Sequence, residues 1–293
     1  MLMILDIALP FHGDVELFKD SVRSILSQTS PHWRLLIIND AHPDLEVDQW
    51  ISALADPRIR YIRNDVNLGP SLNYSKCVAE VTGEYCLIFG ADDLLEPSYV
   101  EEITSAIKLD RKSDFFHPLV KVIDHKGEEY LPLVDRIKKW LTPSNDSTQI
   151  LDAKSSMPGL MTGNWMYFPA ITWKVDSLKK HGFRKDLNVC QDIWLISQIL
   201  IGGGQAHLVH KILFKYRRFS GSDSSVKLLN GVRFAEEKEV FISLARELKS
   251  RRLFLASISA YSHLTSRLHA AALIPTALMQ RKSLTPCLKH VLT

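Results

Sequence analysis

Tyr85-Cys-Leu-Ile-Phe89-Gly-Ala-Asp-Asp93 is the stretch on which the fold turns. Its apolar run is too short for a helix and is bounded by Gly83 and Gly90, so it reads as a strand buried on both faces. The run ends in two carboxylates, where the strand leaves the core. Outward from it the same unit recurs. Met3 to Leu9 is an apolar run closed by Pro10, Leu35 to Ile38 ends at Asn39-Asp40, and Ile59, Tyr61 and Ile62 mark a third strand. Between these runs, Phe18, Val22 and Ile25 share one helix face, with Asp14 as its cap. Trp50, Ile51 and Leu54 share another. Pro70 opens a helix that runs to about Val81, and Pro97 starts one through Ile107.

Strands alternating with helices over short links predict an α/β fold, a mostly parallel central sheet flanked by helices on both faces. Ligands bind such sheets at the carboxyl ends of strands. Asp40 and Asp92-Asp93 therefore face one crevice. A carboxylate there is partly solvated, so it stays charged at modest cost and is available to a metal or a ligand donor. Further on, Phe115 to Ile123 reads as a strand turned by Asp124-His-Lys-Gly127, and Met166 to Trp173 as another. Gln191 to Ile201 reads as a helix with Leu195 and Ile199 on its apolar face, and Leu213 to Arg218 as a late strand. Residues 133 to 160 are mixed and hard to place. From about Ser225 the pattern is helical, which predicts a unit over 1–225 and a C-terminal helical extension over 226–293.

The chain has 293 residues and a net charge of +3, too little to argue for nucleic acid as a partner. Cys77, Cys86, Cys190 and Cys287 are far apart, without metal-ligand spacing, and fit a reducing compartment. MLMILDIALPF lacks a basic n-region and meets Asp6 early, so the expected location is cytoplasmic, with no signal peptide. Asn73-Tyr-Ser75 and Asn145-Asp-Ser147 then match the glycosylation pattern by chance. From Lys249 onward there are basic residues and no Asp or Glu. A basic, partly apolar helix of this kind can lie on the anionic cytoplasmic face of a membrane; the other reading is a helical cap or a dimer surface. Gly202-Gly-Gly204 follows a helix and precedes a strand, the reverse of a phosphate loop, and reads as a helix end and turn. The histidines show no ligand spacing; His207 and His210 are expected to pack or face solvent. Trp165 and Trp173 read as core.

Five segments, in order, resemble the family 2 glycosyltransferases with the glycosyltransferase A-type fold. They are Ile7-Ala-Leu-Pro10-Phe-His12 with Leu17, Ser24-Ile25 and Gln28; Ile37-Ile-Asn39-Asp40-Ala-His-Pro-Asp44, where the family shows Val-Asp-Asp-Gly-Ser-x-Asp; Asn67-Leu-Gly69-Pro-Ser71-Leu-Asn73; Phe89-Gly90-Ala-Asp92-Asp93, at the place of the family's Asp-x-Asp; and Gly182-Phe183, Gln191-Asp192-Ile-Trp194-Leu195 and Tyr216-Arg217-Arg218 with Ser222 and Ser225. The resemblance covers about residues 3 to 225.

It implies an inverting transferase that moves a sugar from a nucleotide-diphospho-sugar, a UDP- or dTDP-sugar by preference, to a glycan or lipid-linked hydroxyl acceptor in cell-surface polysaccharide or glycan synthesis. Asp40 would accept a hydrogen bond from the nucleobase imide, with Pro10 and His12 lining its pocket. Asn67, Gly69 and Ser71 would sit near the ribose and diphosphate. Asp92 would hold a divalent cation, Mg²⁺ or Mn²⁺, and Asp192 would be the general base. Gly90 stands where the family has the first Asp of its motif, leaving Asp92 to coordinate alone and Asp93 to hold the loop or the sugar, or to cap the next helix. Asn39 and Gln191 are the other departures. Asp192 has a second reading as a helix N-cap, and Arg217 and Arg218 are either diphosphate contacts or a solvated strand end. Gly90 and Gln191 also keep open a catalytically inactive relative that binds a nucleotide sugar or acts as a membrane-surface scaffold.

Overall fold

The computed structural model describes residues 3–143, 149–187, 189–218, 232–279 and 285–292. The chain opens with three strand–helix units: β1 (Leu5–Phe11), α1 (Val15–Leu26), β2 (Trp33–Asn39), α2 (Glu46–Ala53), β3 (Ile59–Arg63) and α3 (Pro70–Glu80). β4 (Tyr85–Ile88), β5 (Leu94–Leu95), α4 (Tyr99–Leu109) and β6 (Phe115–Ile123) follow. Asp14 caps α1 as expected, its Oδ1 accepting from the amides of Glu16 and Leu17.

One sheet runs β3-β2-β1-β4 and continues through β8 (Thr172–Lys174), β6, β9 (Ala206–Arg217) and β5, with β7 (Gln149–Leu151) beside β9. The first four strands are parallel, and β6 pairs parallel with β9. The remaining pairings are short and antiparallel. β8 enters between β4 and β6 antiparallel to both, and β5 and β7 are antiparallel to β9. The strand expected over Met166 to Trp173 is confined to β8. Phe168-Pro169-Ala170 forms a 3₁₀ turn instead, because Pro169 has no amide to give a ladder.

Strand alternation divides the core. Leu5, Ile7, Leu9 and Phe11 of β1 face α1 and α4, while Ala8 faces the other side with Ile38 and Ile88. Asp6 is the buried polar exception. Its Oδ2 accepts from the amides of Thr82 and Gly83 at 3.0 and 2.6 Å, and Arg34 pairs with Oδ1. A Cβ at position 83 would lie 2.9 Å from that Oδ2, so the approach needs glycine.

The mixed stretch 133 to 160 holds α5 (Leu133–Leu141), β7 and α6 (Ala153–Thr162). α7 (Val175–His181) and α8 (Gln191–Ile201) precede β9. Gly202 ends α8 and the chain turns into β9, as read from the glycines. The proposed boundary at 225 falls outside the described residues. Beyond it lie α9 (Val232–Ser250), α10 (Phe254–Ser262), α11 (Leu264–Met279) and α12 (Thr285–Leu292). Val240, Leu244 and Leu248 of α9 share a core cluster with Leu195 and Ile199 of α8. Each such side chain contributes about 1.5–3 kcal/mol by leaving water. α9 also steers the loop before α8, since Glu236 Oε1 accepts from the amides of Val189 and Cys190.

Candidate active site

The register of β1 fixes the geometry. Phe11 pairs with Asn39, and Ala8 with Ile88, so the ends of β1, β2 and β4 lie along one edge. A cleft of about 950 Å³ opens there. It brings together Pro10, His12, Asp40, Asn67, Gly69, Asp92 and Asp192. Ser71 is apart from them: it is buried, and its Oγ donates to the Leu187 carbonyl at 2.6 Å.

Asp40 is buried, and its carboxylate is largely occupied by the protein. Oδ1 accepts from Asn64 Nδ2 at 2.7 Å and the Leu68 amide at 2.9 Å, and Oδ2 accepts from the Gly69 amide at 2.9 Å. An oxygen offers two acceptor sites, so Oδ2 keeps one for a ligand. Asp40 thus ties the loop of Asn67 and Gly69 to the end of β2. Ala41 follows it at φ 55°, left-handed backbone where the family pattern has glycine.

The Asp92-Asp93 pair answers the question raised by Gly90. Asp93 is buried, its Oδ1 accepts the Arg217 amide at 2.8 Å, and its Oδ2 has no hydrogen-bond partner. That Oδ2 lies over Gly90: a Cβ at 90 would collide with it and would sit 3.4 Å from Asp92 Oδ1. The Asp93 carboxylate therefore occupies the space of the side chain the motif lacks. Burial raises the pKa of Asp92, and burial together with the Asp92 charge raises that of Asp93 well above the ordinary carboxylate range. Asp93 does not cap the next helix, whose N-cap is Ser98. Replacing Gly90 by Ala is expected to cost about 1–3 kcal/mol through overpacking against Asp93. Urea denaturation measures it, and an unchanged midpoint would show that the carboxylate swings aside freely.

Among the described residues no group of three His, Cys, Asp or Glu side chains could hold a metal ion by itself. The chemistry of the pair still fits a hard cation. An unpartnered, buried Asp93 Oδ2 and Asp92 Oδ1 converge on the space above Gly90, and Mg²⁺ takes only one or two protein carboxylates, filling its shell with phosphate and water.

Asp192 stands in the first turn of α8, whose N-cap is Cys190, so it is not the cap. Its Oδ1 accepts the Ile193 amide at 2.6 Å and its Oδ2 accepts Asn164 Nδ2 at 3.1 Å. Burial raises its pKa above the ordinary Asp value, against the opposing pull of Lys138 and Arg233. Gln191, beside it, is buried and also lines the cleft.

Both expectations for Arg217 and Arg218 give way to a third. Arg217 is buried and clamps backbone: Nε donates to the Asp92 carbonyl at 2.7 Å, and Nη1 donates to the carbonyls of Asp124 and His125. It fixes the acidic loop from behind. Arg218 pairs with the fully buried Asp135, which also accepts from the Tyr167 hydroxyl at 2.8 Å. His207 is buried, with Nδ1 2.8 Å from Asp110 Oδ2, and Trp165 and Trp173 are core. Asn73 is buried, which removes it as a glycan acceptor, and Asn145 lies outside the described residues.

Sequence reasoning missed Lys138. Among the described residues it is the one Lys or Arg that lines the cleft. Its Nζ sits 4.2 Å from the centre of the Tyr167 ring and 3.5 Å from the Met166 carbonyl. Burial lowers its pKa to about 8, assisted by the Arg218 charge and opposed by Asp135 and Asp192. It stays charged at neutral pH beside Asp192.

With this geometry in hand, comparison with known proteins is decisive. The family model of Glycosyl transferase family 2 matches residues 6–176. The chain belongs to that family. WcaA of Escherichia coli, described as a glycosyl transferase of colanic acid biosynthesis, is 33% identical over 91 residues, which are 31% of this chain and 32% of that protein. The match thus spans about a third of that curated relative. S. aureus TarS 1-349, solved with UDP-GlcNAc, superposes with a TM-score of 0.70 at 13% identity, covering 89% of this chain and 73% of TarS 1-349. The mannosyltransferase PcManGT of Pyrobaculum calidifontis, solved with GDP-Man and Mn²⁺, gives 0.60 at 15% identity over 98% of this chain and 85% of its own. At these identities the likeness establishes the fold, the glycosyltransferase A type expected from the motifs.

Proposed function

We propose that this family 2 chain is an inverting glycosyltransferase that moves a sugar from a nucleotide-diphospho-sugar to a hydroxyl acceptor. The observation that carries the reading is the convergence of Asp40, Asp92 and Asp192 on one cleft from three separate stretches of sequence. The relative named for colanic acid biosynthesis supports a place in polysaccharide or glycan assembly.

The free acceptor site on Asp40 Oδ2 suits an imide N–H, the donor that uracil and thymine present, so a UDP- or dTDP-sugar is the favoured substrate. Pro10 and His12 wall this pocket, and Asn67 and Gly69 lie where ribose and diphosphate would pass. Ser71 acts indirectly, by holding the Leu187 carbonyl. Asp92, with Asp93 Oδ2 beside it, would hold Mg²⁺ or Mn²⁺, which supplies neutralisation of the charge that develops on the leaving diphosphate. Lys138 adds a protein-borne positive charge at the same cleft.

Asp192 takes the proton. As the acceptor oxygen bonds to the anomeric carbon, its hydrogen passes to the Asp192 carboxylate and the bond to the nucleoside diphosphate breaks. Attack from the opposite face inverts the centre in one displacement, without a covalent intermediate. Asn164 Nδ2 and the Ile193 amide hold the carboxylate in place.

Gly90 and Gln191, where the family pattern carries acids, favour one second reading, a relative that binds donor without turning it over. The two readings separate when the chain is incubated with UDP- and dTDP-sugars and Mn²⁺ and free nucleoside diphosphate is followed by chromatography. Slow release to water is expected. Tight binding with no release would replace the enzyme reading by the binding one. The lipid-linked form of the acceptor, and a cytoplasmic site of action, go with the basic C-terminal helices. Among the described residues no helix is long and apolar enough to cross a membrane.

A further inference from the structure

α5 is built inside out. Its sequence, Leu-Val-Asp-Arg-Ile-Lys-Lys-Trp-Leu, is strongly two-sided, but the face turned inward carries charge: Asp135 is fully buried against Arg218, and Lys138 points into the cleft. The outward face is apolar. Leu133, Ile137 and Trp140 fall one above another on the helix, and Trp140 is 82% exposed and Leu133 67%. A soluble helix normally turns such a stripe to the core.

α10 repeats the inversion. Its inward face is small (Ala256, Ser257 and Ala260 are buried), while Phe254, Ile258 and Tyr261 stand outward at the same spacing, an aromatic again in the last place. The end of α5 and the start of α11, the helix that follows α10, both pack against Gly163, where a Cβ would lie 3.0 Å from Leu141 Cδ1 and 3.4 Å from Thr265 Oγ1.

Charge identifies what covers these stripes. From Tyr130 to Thr142 Asp135 is the one acid, and it is buried and paired; from Lys249 onward there is none. Arg136 and Lys139 flank the first stripe, and Arg251 and Arg252 precede the second, all exposed. An exposed apolar stripe ending in an aromatic residue, with exposed cations beside it and no exposed acid along the helix itself, matches the headgroup region of an anionic bilayer. A protein partner of ordinary mixed charge would not call for one sign at both helices.

We infer that the outward stripes of α5 and α10 are membrane-docking elements that seat the chain on an anionic lipid bilayer with α5 at the interface. Because the same nine-residue helix carries Lys138 into the cleft, docking brings the Asp192 side of the cleft to the lipid. The inference does not depend on the donor or on turnover, and its failure would leave the proposed chemistry standing.

Flotation of the full chain with vesicles tests it, using phosphatidylcholine alone and phosphatidylcholine mixed with phosphatidylglycerol. The chain is expected to float with the mixed vesicles and to stay behind with neutral ones. Ile137→Glu/Trp140→Glu should lower the floating fraction at least tenfold at an unchanged melting temperature, since both positions are exposed. Trp140→Phe should still float but lose the blue shift in tryptophan emission that the parent chain shows on mixed vesicles. Absence of flotation on mixed vesicles would overturn the inference. So would loss confined to Phe254→Glu/Ile258→Glu while the α5 variant floats normally. A lipid-free dimer that the α5 substitutions convert to monomer would assign the stripe to a second copy instead.

Discussion

Asp192→Asn is expected to lower sugar transfer by roughly 10²–10⁴-fold, the usual worth of a positioned general base, while donor affinity stays as it was. The geometry makes the variant a clean one. Asn retains an oxygen for the Ile193 amide, and its new N–H₂ replaces the Oδ2 that accepts from Asn164 Nδ2, so Asn164 must turn its amide over to present Oδ1, which is buried without a partner. Stability should hold or rise at neutral pH. Burial raises the folded-state pKa of Asp192, so the native state favours the protonated acid, and the ionised form loses stability as pH rises through that pKa. Asn removes this cost. The same shift sets the pH profile of the parent enzyme. With Asp192 as the proposed base, activity is expected to climb with pH through a pKa above the ordinary Asp value. It should fall again near pH 8 as Lys138, lowered to about 8, gives up its charge. Measured turnover across pH, with melting temperatures alongside, checks both arms. Undiminished transfer in Asp192→Asn would remove the base from the mechanism.

Asp40→Ala carries the second large effect, on stability as well as on binding. It leaves Asn64 Nδ2 and the amides of Leu68 and Gly69 without their acceptor. A buried donor left unpaired costs about 1–3 kcal/mol. Because the loop amides gain water on relaxation, a total of about 2–4 kcal/mol is expected. Urea denaturation measures this loss. Asp40→Asn separates anchoring from recognition: it keeps one acceptor oxygen but sets an N–H₂ group against the Gly69 amide or against the incoming base. It should hold most of the stability and still lose nucleotide affinity. Equal affinity for UDP in Asp40→Asn and the parent would show that Asp40 only ties down the loop.

The acidic positions were legible because parallel strands buried on both faces leave unbroken apolar runs. Each run stops where a carboxylate marks the sheet edge, at Asp40 and at Asp92. Asp192 was legible through its helix. What escaped notice depended on contacts across the sheet. Arg217 gives no local sign that its guanidinium will reach back to the carbonyls of Asp92 and His125. Asp93 reads as one of a pair until the structure folds it over Gly90. The apolar residues of α5 recur at helical spacing, but periodicity takes the apolar face for the inner one, and here Asp135 and Lys138 are inside. Lys138 was hidden by the same inversion. The strand expected at Met166 failed at Pro169, a local signal that outweighed the apolar run around it.

In the proposed reading, this cleft binds a nucleoside diphosphate through Asp40 at one end and the Asp92-Asp93 pair at the other. Thermal unfolding of the chain titrated with UDP, dTDP and GDP, with and without Mn²⁺, tests it most directly. A ligand present at a hundred times its Kd should add about 2.7 kcal/mol of stability. UDP or dTDP with Mn²⁺ is expected to do so, omitting the cation to weaken the effect, and Asp40→Asn to abolish it. An unfolding curve that no nucleotide moves at millimolar concentration, with or without the cation, would contradict it.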